Sequence, residues 1–236
     1  MAKLITLCKS PITVADGDFR RIWQEDFFAN FMAIDSVARH LRCAIYHHVL
    51  PDFQWPNDVE RWAGIGSYYF TSRAAAEKVL ADPAYQALCK SAAAGISQIS
   101  HLLVEEIFIQ NRDNSALPVK MFAFFKRLPA LSRLQAQQYY QDTHQPLAND
   151  LMEHKTPRSI QNHVLLDHHC EHPQYDFDAG PEAWFQSVEQ FFSIAPAGDK
   201  LKVLETDEAQ FIDRKAGLFL LTDRVEVLGE EKPLSC

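Results

Sequence analysis

The sequence predicts a mixed α+β fold in which two tandem βαββαβ repeats pack sheet to sheet as a barrel within one chain. Length is the first observation: 236 residues exceed one common domain and fall short of two independent ones. The second is a duplication, because the two halves match segment by segment in the same order. The third is that each half reads strand, helix, strand, strand, helix, strand, the ferredoxin-like arrangement. Such a half covers one sheet face with helices and leaves the other bare and apolar, so it needs a second sheet. A fused copy supplies it.

The elements follow in order. The run Lys3 to Lys9, apolar between lysines, matches Lys120 to Lys126, 117 positions later. Ile22 to Phe27 matches Tyr139 to His144 at the same offset. Ile45 to Asp52 matches Ile160 to Asp167, and Ser67 to Phe70 matches Glu182 to Phe185, both 115 positions apart. Each half then closes on an apolar-to-acidic strand, Leu102 to Glu106 and Leu220 to Asp223. Matches in one order, with so little drift in offset, are hard to produce by chance.

Within the second half, the first strand spans Val119 to Phe125 and is stopped by Pro129. Ser132, with Gln135 three residues on, forms a capping box that starts a helix. His144-Gln145-Pro146 is expected to end or kink that helix, because proline lacks the backbone donor. Ile160 to Leu166 is the second strand, and Ala183 to Gln186 lies in the third. In the first half, Ser72 to Leu80 carries three alanines with Glu77 and Lys78, all good helix formers. Residues 111–118, rich in Asn, Asp, Ser and Pro, read as a linker. The expected domains are therefore an N-terminal repeat over 1–110 and a C-terminal repeat over 119–236.

Composition narrows the function classes. Hydrophobic residues at 47% and charged residues at 23% are ordinary for a globular protein. The net charge of -8 argues against a nucleic-acid partner that would need a basic face. No run approaches the roughly 18 apolar residues of a spanning helix, so no membrane partner is expected. Met1 to Pro11 holds too short an apolar stretch for a signal peptide. Cys8, Cys43, Cys89, Cys170 and Cys236 are odd in number, widely spaced and without a CxxC pair. That pattern fits reduced, mostly buried thiols in a cytoplasmic protein. Dinucleotide, P-loop, nucleophile-elbow and HExxH zinc motifs are missing, which removes the strongest signals for nicotinamide, ATP, serine-hydrolase and zinc-protease chemistry.

Four segments carry a family likeness: Phe125-Lys126-Arg127-Leu128-Pro129, Tyr139 to Leu147, Ile160-Gln161-Asn162-His163, and Asp207 to Asp213. Of these, the stretch from the tyrosine pair to His144-Gln145-Pro146-Leu147 is the most specific. On these segments the second half resembles the EthD-like branch of the dimeric α+β-barrel superfamily. The first half joins it through the repeat alone, and Phe27 stands where the second half has His144. The resemblance implies cofactor-free cyclase, dehydratase, decarboxylase or isomerase chemistry on polyketide or aromatic molecules.

His144 is the leading candidate, since a histidine can take and return a proton near neutral pH. Tyr140, four residues earlier, shares its helix face and could donate a proton or simply fill core. On the second strand, alternation puts Gln161 and His163 on one face and Asn162 on the other. Either set needs partners, as pocket groups or as core hydrogen bonds. The candidate catalytic residues are His144, Tyr140 and His163; the candidate substrate contacts are Asn162, Gln161, Glu182, Trp184 and Phe124. Glu182 is placed at the start of a strand, as an acid or base or as an edge carboxylate. Tyr46, His47, His48 and Trp23 offer a second, altered pocket in the first half, or a structural one. Asp167, His168, His169, Cys170, Glu171 and His172 could each ligate a metal, yet their adjacency reads better as a solvated loop, so no metal is expected.

The function expected is a cofactor-independent lyase, isomerase or cyclase acting by histidine acid-base chemistry on a hydrophobic small molecule. The alternatives are a non-catalytic protein that binds such a molecule, or a haem- or O2-dependent oxidative barrel. The fused repeats form a pseudo-dimer within one chain, and a homodimer of barrels stays open.

Overall fold

The computed structural model describes residues 1–54, 57–91, 95–112 and 117–228. Residues 113–116 of the expected linker and Cys236 lie outside that set. The first repeat begins with β1 (Ala2–Pro11). A continuous helical stretch follows: α1 (Asp16–Arg21), a π-helical turn over Ile22–Phe27, and α2 (Phe28–Met32). Next come α3 (Asp35–His40), β2 (Leu41–Val49), β3 (Glu60–Phe70), α4 (Arg73–Ala81), α5 (Pro83–Lys90) and β4 (Gln98–Asn111). The second repeat repeats the plan with β5 (Val119–Phe124), α6 (Arg133–Tyr139), a π turn over Tyr140–His144, and α7 (Gln145–Leu151). It finishes with β6 (Arg158–Val164), β7 (Ala179–Phe185), α8 (Val188–Ile194), α9 (Asp199–Glu208) and β8 (Leu218–Leu228).

Two compact units result. One comprises Met1–Val104 with the part of β8 from Thr222, and its strand order is β4-β1-β3-β2-β8. The other runs Glu105–Leu221, with order β8-β5-β7-β6-β4. The hydrogen-bonded order β1-β3-β2-β8-β5-β7-β6-β4 closes as an eight-stranded barrel.

Strand register carries the duplication down to single residues. Ala2 opposite Phe70 in the β1–β3 pair recurs as Val119 opposite Phe185 in β5–β7. Cys43 opposite Tyr69 in β2–β3 recurs as Arg158 opposite Trp184 in β6–β7. These are the sequence offsets of 117 for the first strand and 115 for the next two. The helix caps repeat as well: Ser72 accepts from the backbone N of Ala75, and Ser187, 115 positions on, accepts from Gln190. The expected capping box is present, with the Ser132 and Gln135 side chains each bonded to the other's backbone N.

Other expectations shift. The chain does not stop at His144-Gln145-Pro146: helix resumes at Gln145 and continues to Leu151. Proline is tolerated because it falls in the first turn of α7, where the backbone register changes from π to α spacing. The second strand is Arg158–Val164 rather than reaching Leu166. The third starts earlier than expected, at Ala179, and ends at Phe185. Gly180 has no room for a side chain, because a Cβ there would lie 1.7 Å from the Ala123 carbonyl oxygen. Among the described cysteines, Cys8, Cys43 and Cys170 are buried and Cys89 is partly so. No helix among the described residues is long and apolar enough to cross a membrane.

Candidate active site

His144 ends a π turn, the wider-spaced helical form that is frequent at functional sites. The turn packs the His144 ring 5.6 Å from Tyr140, centroid to centroid, and 5.2 Å from Phe211. His144 Nδ1 lies 2.6 Å from Asp207 Oδ2, in the last turn of α9. The other carboxylate oxygen of Asp207 accepts from the Tyr139 hydroxyl at 2.9 Å. An ionised carboxylate can only accept, so in the neutral form of the His144 ring this contact places the proton on Nδ1 and leaves Nε2 unprotonated. The adjacent Glu208 has its pKa raised by burial, against the opposing charges of His144 and Arg214.

Tyr140 is 2% exposed, and its hydroxyl has no hydrogen-bond partner among the described residues. Burial holds that hydroxyl well above its ordinary pKa, so it stays a donor. The ring stacks on His163 at 5.9 Å. His163 Nε2 bonds Gln161 Oε1 at 2.8 Å, Gln161 Nε2 donates to Gln145 Oε1 at 2.9 Å, and Gln145 Nε2 donates to Asn149. Burial lowers the His163 pKa to about 4, which keeps the ring neutral. His144, Tyr140, His163 and Gln161 thus share the helix-covered face of the sheet. Asp207 also lines a groove of about 500 Å³ with Leu147, Val203 and Thr206.

The remaining candidates stand on the other face of the sheet, Asn162 on β6, Glu182 and Trp184 on β7, and Phe124 on β5. Asn162 Nδ2 donates to Glu182 Oε1 at 3.1 Å, and Glu182 pairs with Lys120 at 2.5 Å. The Lys120 ammonium sits 4.2 Å over the Trp184 ring and 4.8 Å over Phe122, which stacks on Phe124. Glu182 is therefore no edge carboxylate. It sits mid-strand, with β7 flanked by β5 and β6, and both it and Lys120 are fully buried. The structure does not bring this set together with His144.

The first repeat shows what the second has changed. Lys3 lies 5.6 Å over Tyr69, as Lys120 lies over Trp184. His47 faces Ser67 at 3.3 Å, in the positions of Asn162 and Glu182. Phe27 packs 4.7 Å from Trp23 and is 3% exposed, so aromatic core fills the place of His144. His48 has its pKa lowered to about 4, chiefly by burial and next by Arg20. The polar loop after β6 is tied to Asp176, which takes the His169 ring and the Cys170 backbone N. Buried Arg133 holds the same loop through the carbonyls of Leu165 and His168. Among the described residues no group of three or more His, Cys, Asp or Glu is placed to hold a metal.

Asp207 is the residue that sequence reasoning missed. It lay within a segment of family likeness, but nothing in the sequence joins it to a histidine 63 positions away.

Comparison with known proteins gives one domain match and a shared fold. Residues 128–215 match the EthD domain. A solved anthrone oxidase-like protein superposes with a TM-score of 0.66 at 12% identity, covering 100% of this chain and 96% of that one. A variant of chlorite dismutase from Candidatus Nitrospira defluvii gives 0.52 at 9% identity, over 94% and 91% of the two chains. No curated protein sequence matches. The solved structures share the α+β-barrel fold. This chain shares that fold, with two tandem repeats in one chain, and its second repeat carries the match to the EthD domain.

Proposed function

We propose that this protein is a cofactor-independent lyase, isomerase or cyclase that moves a proton on a hydrophobic, aromatic or polyketide-like small molecule. The observation that carries the reading is His144 Nδ1 at 2.6 Å from Asp207, beside the groove that Asp207 lines. In the proposed step, His144 Nε2 removes a proton from the carbon next to a carbonyl. The C–H electron pair moves onto the carbonyl oxygen as an enolate, and Asp207 stabilises the imidazolium that forms. The proton then returns to another atom of the molecule. Tyr140, a donor without a partner, would hydrogen-bond the enolate oxygen, and neutral His163 would set the tyrosine ring by stacking. Asn162, Glu182, Trp184 and Phe124 would support the sheet from its other face.

Haem does not fit this arrangement. Phe211 and Tyr140 pack against the His144 ring, which is 9% exposed, so too little of it is open to a macrocycle. We also infer a cytoplasmic protein of two repeats, 1–110 and 119–236, joined by residues 111–118, and the fold is compatible with a homodimer of barrels.

The test is turnover of β-keto and hydroxyaryl compounds by purified protein. A folded His144→Ala variant should lose about 10²–10⁴-fold in rate. Unchanged turnover would remove His144 from the mechanism. Saturable binding with no change to any compound would replace the enzyme reading by a binding one.

A further inference from the structure

A second cleft, of about 250 Å³, lies where α6 meets the ends of β6 and β4 in the second unit. Ile107, Leu134 and Leu166 give it apolar walls, and the two leucines are 47% and 53% exposed. Among the polar groups that line it, the amides of Gln138 and Gln141 can donate or accept, and the other three side chains offer acceptors. Gln137 is 5% exposed and spends both amide hydrogens on the carbonyls of Val164 and Asp178, each at 2.8 Å. Two carbonyl partners fix which end of the amide is nitrogen, so the Gln137 oxygen is left as an acceptor with no partner among the described residues. His163, 8% exposed, uses Nε2 on Gln161 and has no bond at Nδ1. Its lowered pKa keeps that nitrogen an unprotonated acceptor. The third is the exposed carboxylate of Glu105, which has no hydrogen-bond or ion-pair partner among the described residues. No lysine or arginine lines the cleft.

From this the geometry points to a binding site for a small primary ammonium carrying an apolar body, its N–H groups meeting Glu105, Gln137 Oε1 and His163 Nδ1. An ammonium brings three donors and a positive charge to acceptors and one carboxylate. An anion would meet the Glu105 carboxylate and two unpartnered acceptors, with only the amides of Gln138 and Gln141 to donate to it, and a bare hydrocarbon would cover those two acceptors without replacing their bonds to water. The site shares His163 with the proton-transfer reading, but neither His144 nor Asp207 lines it, so binding in His144→Ala tests it separately from that reading.

Titration with 2-phenylethylammonium, followed by calorimetry and amide chemical shifts at fixed ionic strength, tests it. Saturable binding is expected in the wild type and in His144→Ala. 2-Phenylethanol, which keeps the body and loses the charge, should bind at least about tenfold more weakly, and 3-phenylpropionate weaker still. Glu105→Gln, an exposed substitution, should weaken the ammonium by about tenfold or more, and so should His163→Phe, which keeps a ring on Tyr140. Equal affinity for amine and alcohol, tighter binding of the carboxylate, or no saturable binding would overturn the site. So would an amine affinity unchanged in Glu105→Gln, which would trace binding to the overall negative charge.

Discussion

His144 Nδ1 and Asp207 Oδ2 stand 2.6 Å apart across 63 positions of sequence, one at the end of a π turn and the other in the last turn of α9. The contact favours the Nδ1-protonated tautomer of the neutral ring and, on the proposed mechanism, orients His144 as the base. Asp207→Asn should therefore act through His144. Long-range ¹⁵N correlation spectra of the wild type should show the neutral ring protonated at Nδ1, and the variant should show a mixture of tautomers. Turnover, once a substrate is in hand, should fall by about 10–10²-fold, less than for loss of the base itself. An unchanged tautomer would mean that Asp207 does not orient the ring.

Acid should destabilise the fold between pH 6.5 and 4. His163 and His48 both have folded pKa values lowered to about 4 from an ordinary 6.5, mainly by burial. In that window the unfolded chain binds protons that the native rings refuse, so stability rises with pH. The contribution is complete above about pH 6.5 and is lost as pH falls toward 4. Each ring adds a slope of up to about 1.4 kcal/mol per pH unit. Urea melts across this range should show a shallower dependence for His163→Phe. The same slope in variant and wild type would contradict a neutral, buried His163.

The Lys120–Glu182 pair predicts an asymmetry between single and double variants. Both side chains are fully buried and 2.5 Å apart. Glu182→Gln strands a buried ammonium and should cost about 3–5 kcal/mol in equilibrium unfolding. Lys120→Met with Glu182→Leu removes both charges and should recover most of that loss. A single variant as stable as the wild type would show that the pair is not desolvated.

Phe27→His tests whether the first repeat is a dormant copy of the site. The Phe27 ring packs 4.7 Å from Trp23 and 6.1 Å from Phe31, with 3% exposure. An imidazole there would be buried among aromatic rings and should cost about 1–3 kcal/mol without adding activity. A gain in turnover, or an unchanged melting temperature, would argue for a pocket rather than core.

The repeat was legible because β-sheet pairing transmits sequence offset directly into geometry. Lys3 and Lys120 fall at matched register positions, as do Tyr69 and Trp184. Alternation along β6 was equally readable, and it separates Gln161 and His163 from Asn162. Pro146 was expected to end or kink the helix, and the helix goes on past it. Its missing N–H normally breaks a helix, and no short-range pattern reports the π turn that accommodates it. Glu182 misled because a carboxylate mid-strand is unfavourable until a lysine from a neighbouring strand meets it.

The sequence by itself determined the duplication, the βαββαβ plan of each half and the asymmetry between Phe27 and His144, since all of these follow from local pattern and periodicity. Tertiary structure alone decided that Asp207 meets His144, that the buried Tyr140 hydroxyl has no partner among the described residues, and that Glu182 pairs with Lys120. These are contacts between elements far apart in the chain. They depend on which helix lies over which strand, and no periodicity along the sequence encodes that distance.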